Sequence, residues 1–171
     1  MPSSKSFETE RLQLAPTVLE DAPFIFELMN SPKWLQFIGD RNINSVEDAR
    51  TYITTRITPQ LQRLGYSNYT VCRKMDMKRI GSCGLYDREG LDGIDLGFAF
   101  LPEYEGQGYA FEASERLLQA AFQEFGLNQL SAITAKDNYA SQRLLTKLKF
   151  EVVKTISLPK DTQELLLYTY N

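Results

Sequence analysis

Leu101-Pro-Glu-Tyr-Glu-Gly-Gln-Gly-Tyr-Ala110 lies between an apolar run, Ile94 to Leu101, that alternates like a strand, and a stretch from Phe111 to Phe125 with helical spacing. A glycine-punctuated turn that opens a helix directly after a strand has the shape of an anion-binding loop. Gly106 and Gly108 carry no Cβ, so the backbone can approach a ligand closely. The unpaired N–H groups of the first helical turn then point at whatever sits there. A phosphate or pyrophosphate is the natural guest.

Working outward, Ala110, Ala113, Leu117, Ala121 and Phe125 recur at spacings of three and four, and Gly126 is placed to end that helix as its C′ residue. A strand, Gln129 to Ala135, follows. The strand-helix-strand unit from Ile94 to Ala135 is therefore expected to be parallel and right-handed. Upstream, Tyr66 to Arg73 and Arg79 to Tyr86 are β-rich runs joined by Lys74-Met-Asp-Met-Lys78, a hairpin whose turn lacks Gly or Asn. With Ile94 to Leu101 they make three consecutive antiparallel strands. Arg11-Leu-Gln-Leu-Ala15 reads as a further short strand. Thr17-Val-Leu-Glu20 reads as a capping box opening a helix to about Asn30, and Ser45-Val-Glu-Asp48 as a second capped start running towards Leu61, with Pro59 placed to kink or end it. Beyond Ala135 come a short helix around Ser141 to Lys147 and two strands, Phe150 to Leu158 and Glu164 to Tyr170. The pattern predicts one domain over residues 1–171. It is an α/β (strictly α+β) fold whose mixed, mostly antiparallel twisted sheet has six to seven strands, with about four helices on both faces.

The totals set limits. A chain of 171 residues can bury roughly 70% of its unfolded surface. Hydrophobic content of 43% and charged content of 24% are ordinary for a globular protein, and there is no apolar run of about 18 residues to cross a membrane. Met1 to Ser6 contains no apolar leader, which reads as cytoplasmic. A net charge of −3 argues against a nucleic-acid or membrane-surface partner and suits a cationic substrate. Cys72 and Cys83 have neither zinc spacing nor the density of a disulfide scaffold, so they read as core residues and no metal is expected. Above all, there is no histidine. The usual neutral-pH base and the Ser-His and Cys-His nucleophile pairs are thereby excluded, leaving carboxylates, tyrosines, hydroxyls or water.

The glycine loop is not the dinucleotide fingerprint, because its third glycine would fall at Phe111, and no Lys-Ser or Lys-Thr pair makes it a nucleotide P-loop. The segment resembles motif A of the GNAT acyl-CoA N-acyltransferase superfamily, Arg/Gln-x-x-Gly-x-Gly/Ala after an apolar strand. Asn138-Tyr-Ala-Ser141 with Leu144-Leu145 and Leu148-Lys149-Phe150 resembles that family's Asn-x-x-Ser and Leu-Gly-Phe signature. Glu8-Thr-Glu-Arg-Leu12 resembles the opening of the branch that includes the ribosomal-protein N-terminal acetyltransferases.

The resemblance implies that a central pair of parallel strands splays apart and that acetyl-CoA is the co-substrate. Backbone N–H groups of Gly106, Gln107, Gly108, Tyr109 and Ala110, with Glu105 at the edge of the same loop, would seat the pyrophosphate of coenzyme A. Phe98, Ala99, Phe100 and Leu101 would carry the pantetheine arm. Asn138 would be the side-chain contact to the cofactor, and Ser141 a donor near the thioester sulfur. A thioester is already activated, so the chemistry mainly requires an aligned, neutral amine and a polarised carbonyl. At pH 7 an α-amine is roughly one-tenth neutral and a lysine about 0.04%. This favours a protein N-terminus as acceptor, with small amines close behind.

Asp95 is the candidate base, because it lies on the strand leading to the loop at a position where relatives often have Glu. Alternation puts Asp95, Gly97 and Ala99 on one face and Leu96, Phe98 and Phe100 on the other. Between Asp87 and Glu112 there are seven acids against Arg88, a field suited to a cationic amine. Trp34 and Phe37 could wall the acceptor site. Three departures from the family pattern bear on this. Glu105 brings a negative charge to an anion site and is expected to point away. Lys149 replaces a glycine, so the turn there should differ. Leu145 replaces a tyrosine that serves some relatives as general acid, which passes that role to Ser141, Tyr139 or water. A non-catalytic coenzyme-A-binding sensor or interaction module is the alternative reading, and either a monomer or a homodimer is compatible with these residues.

Overall fold

In the computed structural model, residues 5–170 are described; Met1 to Ser4, on which most of the leader reading rests, lie outside them. One eight-stranded sheet in the order β1-β2-β3-β4-β5-β6-β8-β7 organises the chain. Its strands are β1 (Phe7–Glu8), β2 (Leu12–Pro16), β3 (Asn68–Arg73), β4 (Lys78–Asp87), β5 (Ile94–Phe100), β6 (Leu130–Ala135), β7 (Glu151–Ile156) and β8 (Leu165–Tyr170). The strand beyond the expected seven is β1, a two-residue piece paired with β2 and too short to show a period. All neighbours are antiparallel except β5 and β6, which run parallel and meet in register at a single pair, Asp95 opposite Ser131. Beyond Asp95 the two strands diverge.

Helix α4 (Tyr109–Gln123) makes the crossover between them. Its apolar stripe, with Ala113, Leu117 and Ala121 fully buried, packs on the face of β5 that carries Leu96, Phe98 and Phe100. Gly126, at φ +71, closes the helix while the Leu127 N–H donates to the Ala121 carbonyl at 2.9 Å. Helix α5 (Tyr139–Lys147) contributes Leu145 to the same core. A second core forms on the opposite face, where α1 (Ala22–Met29), α2 (Val46–Tyr52) and the residue after it bury Ile25, Leu28, Ala49 and Ile53. Fully burying an aliphatic side chain contributes about 1.5–3 kcal/mol, so these two layers, one on each face, hold the sheet.

Local departures from the expected pattern have physical causes. Thr17 does not cap α1. Its hydroxyl is buried between Asn68 and Thr70, and the entry is turned by Asp21, which accepts from the Val18 N–H at 3.0 Å and pairs with Arg79 at 2.6 Å. Pro59 does not stop the second helix. A π turn, Ile53–Ile57, widens the chain ahead of it, so that α3 (Thr58–Leu64) starts afresh with Pro59 in its first turn, where a missing N–H costs nothing. Ser45 caps α2 as expected, accepting from the Asp48 N–H. Lys149 takes a glycine-like turn. It adopts φ +77, the conformation that glycine takes without strain, and the Phe150 N–H donates to the Leu145 carbonyl at 3.0 Å.

Candidate active site

The splay of β5 from β6 opens a cleft of about 940 Å³ between the diverging strands, the α1–α2 wall and the start of α5. Strand β4 occupies one edge of β5 as far as Phe100, but the other edge is paired only at Asp95. The peptide groups of Phe98, Ala99 and Phe100 are therefore free on that edge to bond an extended amide chain. Leu101 is different. Its N–H is taken by the Ile80 carbonyl, its carbonyl accepts from the Tyr104 N–H at 3.0 Å, and its side chain is buried in the second core, so the free edge ends at Phe100 and the expected pantetheine contact at Leu101 is not available.

Directly beyond lies the glycine loop. Gly106 and Gly108 adopt φ +74 and +83, and Gly106, Gln107 and Gly108 are exposed. Among the described residues the N–H groups from Gly106 to Phe111 donate to no protein acceptor, so six donors converge at the N-terminus of a fifteen-residue helix. That arrangement fits a pyrophosphate. Tyr109 contributes only its backbone here, because its side chain is buried. The Glu105 carboxylate is held in an ion pair by Lys33, from the turn after α1. Its charge beside the glycine loop is thus offset by a partner that sequence spacing did not indicate.

Asp95, Ser141 and Asn138 all line the same cleft. The Asn138 Oδ1 caps α5 by accepting from the Ser141 N–H at 3.2 Å, so the group left for a ligand is its amide NH₂. Ser141 sits in the first turn of α5, half-buried. Leu145 lines the cleft where a tyrosine would otherwise stand, whereas Tyr139 is well exposed and outside the lining residues. Trp34 and Phe37 do line the cleft, in a π turn, Trp34–Ile38.

Asp95 is 1% exposed. Both its oxygens accept from Arg88, at 3.1 Å to Nε and 3.2 Å to Nη2 among these contacts. Burial raises the Asp95 carboxyl above its ordinary range, and the nearby guanidinium opposes that shift. Arg88 stacks over Tyr86, 5.2 Å from the ring. The Tyr86 ring in turn lies across two glycines, where a Cβ on Gly97 would come within 2.8 Å and one on Gly84 would overlap it. The sequence shows Arg88 only as a lone cation among acids and gives Tyr86 no role in the site. The signal was there in Gly84 and Gly97, facing each other across β4 and β5, but it is visible only once the strands are paired. Of the seven acids between Asp87 and Glu112, four are in ion pairs, with Arg63, Arg88, Lys33 and Arg11. The acidic field is correspondingly weaker than the sequence suggests. Burial pushes the Cys83 thiol up to about 12, which rules it out as a nucleophile at neutral pH.

A splayed parallel pair, a crossover helix opened by exposed glycines and a cleft where the strands part define an acyl-CoA N-acyltransferase. A family model described as an acetyltransferase (GNAT) domain matches residues 11–151, and the chain belongs to that family. It is an acetyl-CoA-dependent N-acetyltransferase. The uncharacterized N-acetyltransferase YoaA of Bacillus subtilis is 28% identical over 145 residues, covering 84% of this chain and 81% of the relative. The solved structure of RimL, a ribosomal L7/L12 alpha-N-protein acetyltransferase in complex with coenzyme A, has a TM-score of 0.81 at 18% identity, covering 97% of each chain. The microcin C7 self-immunity acetyltransferase MccE, solved with acetyl-CoA and AMP, has a TM-score of 0.78 at 15% identity, covering 95% of this chain and 93% of MccE. No helix among the described residues is long and apolar enough to cross a membrane.

Proposed function

We propose that this enzyme acetylates the α-amine of a protein or peptide N-terminus by direct attack within a ternary complex. The observation that carries the reading is the free edge of β5 beyond Asp95, which ends at the exposed glycine loop and opens on a cleft large enough for an extended chain terminus. The pyrophosphate of acetyl-CoA sits on the N–H groups of Gly106 to Ala110, beside Glu105, and the pantetheine amides pair with the free edge of Phe98 to Phe100. The NH₂ of Asn138 contacts the cofactor. The acceptor nitrogen attacks the thioester carbonyl, the C–N bond forms and the C–S bond breaks. Asp95 takes the amine proton through a water molecule, and the Ser141 hydroxyl hydrogen-bonds the departing thiolate, which solvent protonates.

Two considerations support the α-amine over a lysine or a polyamine. Its neutral fraction at pH 7 is hundreds of times larger than that of lysine, so it demands less of a base as confined as Asp95. The fold is also shared with RimL, a protein that acetylates a ribosomal-protein α-amine. The test is thiol release from acetyl-CoA with peptides bearing a free N-terminus, the same peptides blocked at the N-terminus but carrying lysine, and small polyamines and aminoglycosides. Turnover confined to the free N-termini is expected. Turnover of the blocked peptides or small amines at equal or higher kcat/KM overturns this choice of acceptor.

A further inference from the structure

The glycine loop is braced by a side chain from the far end of the sheet. Arg11, in the turn between β1 and β2, donates from Nη1 to the Gln107 carbonyl at 3.0 Å. Its guanidinium carbon lies 4.3 Å from the centre of the Tyr109 ring, and its Nε donates to Glu112 Oε1 at 2.7 Å. The other Glu112 oxygen accepts from the Arg11 backbone N–H at 3.0 Å and from the Thr9 hydroxyl, which itself accepts from the Leu12 N–H at 3.0 Å. A Cβ on Gly108 would lie 3.3 Å from Arg11 Nη2. One guanidinium thus touches the loop's middle carbonyl, its last glycine, the first residue of α4 and an acid one turn further on.

We propose that Arg11 is a positioning residue of the cofactor site. It fixes the left-handed turn at Gly106 to Gly108 so that the N–H groups stay aimed at the pyrophosphate, and it places a cation against the loop that receives an anion. Planarity and several separately directed donors let guanidinium reach the carbonyl and the acid while stacking on the ring, which the compact ammonium of a lysine cannot do at once. Glu112 orients the group from the helix side. Its own carboxyl is held below the ordinary range by the bonds from Thr9 and Arg11, against the opposing effect of partial burial, so it stays charged at neutral pH. This inference rests on the loop being the pyrophosphate seat.

The experiment compares two acetyl donors, acetyl-CoA and acetyl-pantetheine, which share the thioester arm but differ in the pyrophosphate and the 3′-phosphoadenosine it carries. With Arg11→Gln, the KM for acetyl-CoA is expected to rise about ten-fold or more, the scale of losing a charge-assisted contact. The kcat at saturation and the turnover of acetyl-pantetheine should stay within two-fold. Equal loss with both donors, or no loss with either, overturns the role of Arg11, since a general structural defect would not discriminate between them. A wild-type enzyme that does not prefer acetyl-CoA over acetyl-pantetheine would instead refute the pyrophosphate seat itself. Should Arg11→Gln fail to fold by circular dichroism, Glu112→Gln, which leaves Arg11 present but unoriented, is expected to show the same discrimination at several-fold magnitude. Its absence in that variant counts equally against the proposal.

Discussion

At the end of the cleft proposed for the cofactor, short-range rules set the geometry: two glycines at positive φ, a helix N-terminus and a strand edge left open by the splay. At the acceptor end, the wall is assembled from the Trp34–Ile38 π turn, the α2–α3 helix with its second π turn, and two rims, Asp87 to Gly93 and Leu158 to Gln163, that touch where Gly90 meets Pro159. The charges there are mixed, with Asp40, Asp48 and Asp161 against Arg41, Arg56 and Lys160. The first end is mainly a backbone device, set by glycines and a helix start and braced by Arg11. The second is a side-chain device, and its specificity depends on long-range packing. Asp95 and Arg88 lie between the two.

If the two ends are separable, substitutions at each should move different kinetic constants. The largest effect is expected for Asp95→Asn, which removes the proposed base. The kcat should fall about 10²–10³-fold while the KM for acetyl-CoA changes less than about three-fold. A comparable loss in cofactor affinity would erase the distinction. Next, Gly108→Ala forces a Cβ onto a residue at φ +83 and towards Arg11, at a cost of about 1–2 kcal/mol. This predicts a roughly ten-fold higher KM for acetyl-CoA with the KM for the amine unmoved. Initial rates with each substrate varied in turn test both variants.

Arg88→Gln sharpens the boundary through pH. With Asp95 as the proposed base, which works deprotonated, the rate should fall as pH drops through its pKa. Burial raises that pKa above the ordinary value near 4, and Arg88 lowers it. Removing Arg88 must therefore shift the acid limb of kcat/KM to higher pH. A limb that stays in place or moves down would show that Asp95 is not the titrating group. The smallest effect lies outside the cleft. Lys149→Gly relieves a strained φ of +77 and should stabilise the protein by about 0.5–1 kcal/mol, a rise of about 1–4 °C in Tm, without altering kinetics.

What could be read from the sequence follows the same division. The loop, the strands around it and the faces of β5 were legible because glycine placement and periods of two and 3.6 are local properties. The Arg11–Glu112 clamp was not, since its partners lie 101 residues apart, even though Glu8 to Leu12 could be quoted as a family resemblance. Thr17 was misassigned for a related reason: its capping pattern is local, but Asn68 and Thr70 compete for its hydroxyl only in the folded sheet. Neither π turn leaves a residue-type signature. The Arg88–Tyr86–glycine stack requires knowing that Gly84 and Gly97 are opposite one another. The Lys149 turn carried the opposite lesson, because backbone hydrogen bonds from a helix end can hold a lysine where the family has glycine.

The single register pair between β5 and β6 has a mechanical meaning as well. Eight strands form one sheet on paper, yet the hydrogen-bonded ladder is nearly severed at Asp95 and Ser131, leaving a five-strand leaf and a three-strand leaf. The leaves stay together through α4 and the core beneath it rather than through their edges. In hydrogen–deuterium exchange the amides of Phe98 to Phe100 that point across the gap should exchange early, well ahead of those bonded to β4. Acetyl-CoA should slow them selectively, acting as the missing rung between the two leaves.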